Sequence, residues 1–206
     1  MEMSLRPKKW VLRLGLTLLG SGLLLGLLFF SLPSLLIRPA ETARAEVILY
    51  FNLGESEATD AYVADLYRQG LSQQIVCVSG QITWQTYPSD LARERLLRRG
   101  LPAAAVATFH LPRVQCGAEL APVLLDWLKQ QRWSQVLLVT HPVQSRTTQR
   151  VFASRFAHEQ INLSVTYALA DAEAFRGQWW RKHSPTQKLV GTSIETVLDL
   201  FYPQCW

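Results

Sequence analysis

Residues 14–37, LGLTLLGSGLLLGLLFFSLPSLLI, form a 24-residue run with no charge. At ~1.5 Å per residue, a helix over this run is about 36 Å long, more than the ~30 Å hydrocarbon core of a bilayer. The remaining chain must therefore fold as an appendage to a membrane helix. Pro33 lies near the far end of the run, where a kink or early exit costs little. Arg6, Lys8, Lys9 and Arg13 precede the run, and Arg38 and Arg44 come after it, partly offset by Glu41 and Glu46. The positive-inside rule then puts the N-terminus in the cytoplasm and the rest outside. The expectation is a single-pass protein of the plasma (inner) membrane with an extracytoplasmic, periplasmic domain. A cleaved signal peptide is the rival reading, because Ala43-Arg44-Ala45 resembles an A-x-A cleavage site. The run is much longer than a signal peptide's apolar core, and cleavage after Ala45 would leave the first strand almost no lead-in. A retained anchor is favoured, and either route exports the C-terminal domain.

The chain thus divides into residues 1–45, a basic tip, anchor and short linker, and residues 46–206, one exported domain. The net charge of +5 is unevenly placed. Residues 1–46 hold six Lys/Arg against three Asp/Glu, whereas residues 47–206 hold fifteen against thirteen. A nearly balanced domain is poor material for a nucleic-acid interface, and no nucleic-acid partner is expected. Arg93, Arg95, Arg98 and Arg99 read as a solvated helix face. The three cysteines form no C-x-x-C pair. Cys77, within IVCV, reads as core, and Cys116 and Cys205 are free to pair in an oxidising compartment. No metal site is expected.

Beyond the linker, short β-type runs alternate with helical patterns. VILYFNL (47–53) is almost continuously apolar, as expected of a strand covered on both faces. A helical segment ending at Gly70 comes next, and then the strand IVCVSG (75–80). The helix PSDLARERLLRRG (88–100) offers Ser89 or Asp90 as a cap, a Glu94–Arg98 pair and Gly100 as terminator. Beyond it lie a strand at 103–110, a helix at 119–131, the strand VLLVT (136–140), a helix at 144–158 and a strand at 161–170. A last amphipathic helix near 186–202 carries Leu189, Ile194, Val197, Leu198 and Phe201 on one stripe. Repeated strand–helix units imply right-handed crossovers. The predicted fold is an α/β, three-layer, Rossmann-like sandwich with a mostly parallel sheet of about five strands behind a transmembrane helix. Strand order is left open.

In open parallel sheets, ligands sit outside the carboxyl ends of the strands. The residues delivered there are Asn52 and Gly54 after the first strand, Ser79 and Gly80 after the second, and His110 after the third. Thr140 and His141 come after the fourth, and Asp171 after the fifth. The helix after Thr140-His141-Pro142 begins near Gln144, with unpaired first-turn N–H groups and Arg146 close by. Backbone donors with a guanidinium suit a phosphate or carboxylate, and Arg150 lies one turn later. His110, His141, Asp171 and Glu119 are the available acids and bases, although their spacing matches no zinc motif. G-x-S-x-G, a P-loop and G-x-G-x-x-G are all missing, so no nucleophile elbow or dinucleotide turn is present and no cofactor is legible. Trp179-Trp180 reads as core or interface packing.

Several short segments, in order, resemble the YdcF/SanA/ElyC family of bacterial envelope proteins. They are Leu66-Tyr67-Arg68-Gln69-Gly70, Ser79-Gly80, Ser89-Asp90, Gly100-Leu101-Pro102, and Leu138-Val139-Thr140 with Arg146 after it. The resemblance spans about Val47 to Phe201. The chain departs from the family at its first turn, shortened to Asn52-Leu53-Gly54, and at Gln144, which stands where the family has a histidine unless His141 takes that place. Of the family's Thr-x-Glu-Asn segment, only Glu119 carries over. The resemblance implies a Rossmann-like fold, a membrane anchor, and a role in envelope or peptidoglycan-related homeostasis. At least one member is linked to S-adenosylmethionine, but the resemblance brings no defined enzymatic activity.

Three functions stay open at this point. In the first, the exported domain binds a small anionic or phosphorylated ligand, a lipid-linked envelope intermediate being one candidate. Asn52, Gly54, Ser79, Gly80, Thr140, His141 and Arg146 would hold it, with Glu119 as a possible catalytic acid or base. The second is a hydrolase or transferase acting at the same edge. The third is a non-catalytic interaction protein that docks through Trp179, Trp180 and the last helix.

Overall fold

Val47 to Tyr50 are fully buried, although their side chains alternate between two faces. Val47 and Leu49 enter one core with Leu124, Leu128, Phe152 and Phe156, while Ile48 and Tyr50 enter a second with Val63, Leu66, Ala92 and Leu96. A strand that faces helices on both sides needs an unbroken apolar run, and that is what the sequence supplies. The fold is seen in a computed structural model that describes residues 9–51, 56–80, 87–111 and 117–201.

Five strands form the middle layer: β1 (Val47–Tyr50), β2 (Ile75–Ser79), β3 (Val106–His110), β4 (Gln135–Val139) and β5 (Asn162–Thr166). All pairings are parallel, in the order β3-β2-β1-β4-β5. The helices are α1 (Lys9–Leu36), α2 (Glu57–Arg68), α3 (Pro88–Arg98), α4 (Gly117–Gln131), α5 (Ser145–His158), α6 (Leu169–Glu173) and α7 (His183–Phe201). The α/β architecture and the leading apolar helix match the sequence expectation. The strand order adds the point the sequence left open. Connections run outward from β1 through β2 to β3, and the chain then returns to the other side of β1, so the switch point lies between β1 and β4.

Gly70 and Gly100 end their helices at φ of +70 and +85, conformations that favour glycine. Other boundaries differ from the sequence expectation for clear reasons. The fifth strand ends at Thr166 rather than running to 170, because Thr166 pairs with Val139, the last residue of β4, and the ladder has no partner beyond it. Asp171 therefore belongs to α6. Ala103–Ala105 form a 3₁₀ turn ahead of β3. Neither Ser89 nor Asp90 is the N-cap of α3. Tyr87 holds that position and Pro88 opens the helix.

α1 includes a 24-residue segment, Arg13–Leu36, long and apolar enough to cross a membrane. Leu18, Leu19, Leu23, Leu25 and Leu27 are all largely exposed along it. Its last turns behave differently. Leu36 is only 5% exposed, in a cluster with Val143, Phe175, Trp179 and Leu189, and Phe29, Leu32 and Ile37 pack on the same cluster. From there the linker runs along the outer edge of the sheet. The Arg38 N–H donates to Ser145 Oγ (3.0 Å), the Glu41 N–H to the Val165 carbonyl (3.1 Å) and the Ala45 N–H to the Leu71 carbonyl (2.8 Å). The chain thus passes from the carboxyl to the amino edge of the sheet, covering edge strand β5 on the way.

Candidate functional site at the carboxyl edge

The switch point brings together the ends of β1 and β4. Asn52 and Gly54, expected after β1, lie outside the described residues. After β4, Thr140 is buried and its N–H donates to the Thr166 carbonyl at 3.0 Å. His141 is half-buried, its ring edge-on to Phe175 with centroids 5.5 Å apart. A 3₁₀ turn, Pro142–Gln144, then leads into α5, and its bonds use the N–H groups of Gln144 and Ser145, which donate to the His141 and Pro142 carbonyls rather than staying unpaired as the sequence suggested. Ser145 Oγ donates to the Pro142 carbonyl at 2.6 Å while accepting the Arg38 N–H. This explains why an apolar strand runs into a polar corner. The corner holds the end of α1, with Val143 packed on Leu36 and Ser145 bonded to the linker.

Arg146 is exposed in the first turn of α5, with Nη2 3.4 Å from the Ser34 carbonyl. A guanidinium near the last carbonyls of α1 also complements the negative end of that helix's dipole. Arg146 thus sits between the strand ends and α1.

At the end of β2, Ser79 Oγ accepts the Ser89 N–H at 3.0 Å and lies 2.9 Å from Ser89 Oγ. This buried hydroxyl acts as a helix cap for α3 from a neighbouring strand, satisfying one of the first-turn donors. Gly80 comes next, exposed, with open space where a Cβ would stand. Glu119 falls in the first turn of α4.

A polar group near the switch point is only partly legible in the sequence. Asp171 of α6 accepts hydrogen bonds from Ser56 Oγ (2.5 Å) and from Thr59 Oγ1. Ser56 is the N-cap of α2, its Oγ accepting the Ala58 N–H. Tyr62 Oη and Thr166 Oγ1 are 2.8 Å apart. Asp171 is among the sequence candidates, whereas Ser56, Thr59, Tyr62 and Thr166 are not. A serine ahead of Glu57 and Asp60 is a visible cap signal, but its partner more than a hundred residues away leaves no local trace. Chemically, the anion position at the start of the first helix after β1 is filled by the protein's own carboxylate.

His110 has a carboxylate partner of its own. His110 Nε2 lies 2.9 Å from Asp90 Oδ1, and its ring stacks on Tyr87 at 3.8 Å. Among the described residues, no three His, Cys, Asp or Glu side chains gather as metal ligands. Cys77 is core, and its thiol is pushed up to about 12, by burial first and then by the charge of Asp60. Cys116 and Cys205 lie outside the described residues.

The arginines of α3 do more than face solvent. Arg95 Nε lies 2.6 Å from buried Asp60, which also accepts from Tyr50 Oη at 2.7 Å. Burial, and after it the bond to Asp60, raises the Tyr50 phenol above its usual range. Arg93 donates to the Val106 carbonyl and Arg99 to that of Glu57, while Arg98 stays exposed, 3.9 Å from Glu94. At the opposite, amino edge, a cavity of about 580 Å³ is lined by Arg44, Glu46, Gln74, Trp133 and Gln135, among others. None of the sequence-chosen residues lies there.

These placements define a class: a doubly wound α/β domain, with its switch point between the first and fourth strands, behind one apolar helix long enough to span a bilayer. No family model matches the chain, and no curated protein is significantly similar to it.

Proposed function

We propose that this chain is a single-pass inner-membrane protein whose extracytoplasmic domain binds a small anionic or phosphorylated ligand at the carboxyl edge of its sheet. The observation that carries the proposal is the burial of Leu36 among Val143, Phe175, Trp179 and Leu189. Cleavage after Ala45 would strip that cluster of Leu36, Phe29 and Leu32, which supports a retained anchor. The same packing puts the membrane helix on the edge where α/β domains bind ligands. A ligand held there lies near the bilayer, as a phosphorylated, lipid-linked envelope intermediate would. Arg146 and the start of α5 supply positive charge, and Thr140 and His141 supply polar groups. A role in cell-envelope or peptidoglycan homeostasis rests on the resemblance to the YdcF/SanA/ElyC family.

A hydrolase or transferase at the same edge would need its acids and bases in contact. His110 is paired with Asp90, and Asp171 with Ser56 and Thr59, so the candidate acids and bases meet partners other than one another in these contacts.

The test is thermal unfolding of the full chain in nanodiscs with inorganic pyrophosphate or a polyprenyl diphosphate. A ligand at 100 times its Kd adds about 2.7 kcal/mol of stability. Stabilisation that falls in Arg146→Ala is expected. An equal shift in both proteins would remove Arg146 from the site, and no shift with either probe would remove the ligand reading.

A further inference from the structure

We propose that the tip at residues 176–182, between α6 and α7, is seated in the outer interface of the bilayer beside the anchor. Trp180 lies at the hydrocarbon boundary there, and Arg181 and Lys182 rest on anionic lipid headgroups. This seating rests on the retained anchor but not on the ligand reading.

The depth is set by the anchor. Trp179 is buried, with its ring centroid 4.8 Å from that of Phe29, and Trp180 meets Phe30 edge-on, also at 4.8 Å. Phe30 comes seventeen residues after Arg13, the last charge before the apolar run. At ~1.5 Å per residue that is roughly 25 Å, so with Arg13 at one boundary of a ~30 Å core, Phe30 has not left the hydrocarbon at the other. Whatever touches Phe30 shares its depth. Trp180 keeps 38% of its surface exposed at this level, where indole rings are enriched in membrane proteins.

The flanking charge matches. Residues 174–194 contain Arg176, Arg181, Lys182 and Lys188 and no Asp or Glu. Arg176, Arg181 and Lys182 are exposed. The tip has a defined shape: Gly177 adopts φ +61, and the N–H groups of Arg181 and Lys182 donate to the carbonyls of Gln178 and Trp179. Aromatic rings at the boundary with cations just above them are the arrangement of an interfacial anchor. A protein partner covering Trp180 would itself have to enter the membrane to reach Phe30.

The experiment places the full chain in phosphatidylcholine vesicles, with and without phosphatidylglycerol, doped with a lipid carrying a diazirine at the top of its acyl chain. Carbonate extraction first checks that the chain is membrane-integrated, and release by carbonate would overturn the proposal together with the anchor. The expected result is photolabelling within Gly177–Arg181, stronger with phosphatidylglycerol. In Arg181→Gln/Lys182→Gln that enhancement should fall by up to about fivefold per charge removed. As a second readout, quenching by bromolipid should lose a component in Trp180→Phe. Labelling confined to residues 14–37, or a Trp180 shielded from acrylamide yet untouched by bromolipid, would overturn the proposal, the second result pointing to a protein contact. The pyrophosphate response is read separately, so loss of one reading is distinguishable from loss of the other.

Discussion

Asp171 stands over the start of α2, its Oδ1 2.5 Å from Ser56 Oγ, so two chain segments far apart in sequence close one side of the switch point. A carboxylate in this position satisfies hydroxyl donors and faces the positive end of the helix, and it also repels any external anion that approaches the same helix. Under the proposed function, an incoming phosphate is therefore directed toward α5 and Arg146 rather than α2. Asp171→Asn should cost about 1 kcal/mol in denaturant unfolding, because a charged acceptor becomes a neutral one. Pyrophosphate binding should tighten in the same variant. Weaker binding would instead make Asp171 part of the ligand's own contact set.

Arg95 and Asp60 make a stability prediction independent of any ligand. Asp60 is 1% exposed and is compensated by Arg95 and Tyr50. Arg95→Ala strands a buried carboxylate and should destabilise the domain by about 3–5 kcal/mol, whereas Asp60→Asn/Arg95→Met should recover much of the loss. Denaturant melts of the single and double variants measure the coupling.

Glu46 gives a pH dependence. Its carboxyl is held below the ordinary value of 4.5, chiefly by the Ser134 N–H and then by the Gln135 N–H. A lowered folded value means the stabilisation is present above pH 4.5 and is lost as pH falls through the folded value. The group is exposed, so the contribution stays below about 1 kcal/mol. Glu46→Gln should lower the melting temperature slightly at neutral pH and flatten the acid limb of the stability curve. An unchanged acid limb would show that the Ser134 and Gln135 contacts carry no linkage.

Cys77 should be inert. With its thiol pushed up to about 12 and its side chain buried, almost no thiolate exists at pH 8 and no reagent reaches it. Alkylation and then peptide mass spectrometry should find Cys77 modified only after unfolding.

The central strands are largely legible in the sequence because both of their faces are buried. VILY, IVCV and VLLV are apolar whatever their neighbours, and Gly70 and Gly100 mark helix ends by a conformation few other residues accept. The site is less legible, because its contacts span the chain. Glu41 bonds to β5 through main-chain atoms, which no side-chain pattern encodes. Ser79 caps a helix from another element, and Asp171 finds Ser56 only once β5 lies two places from β1. Arg95 reads as a surface arginine because α3 and its C-terminal end carry four such residues, and only the fold reveals which one faces Asp60.

The proposed function puts a phosphorylated ligand at the edge of the sheet that packs on α1. The most direct measurement is photolabelling of the full chain in nanodiscs with a photoreactive polyprenyl diphosphate, read residue by residue. Labels are expected at 140–146, competed away by unlabelled pyrophosphate. Labels confined to the anchor, or gathered at the amino-edge cavity around Arg44 and Gln74, would contradict it.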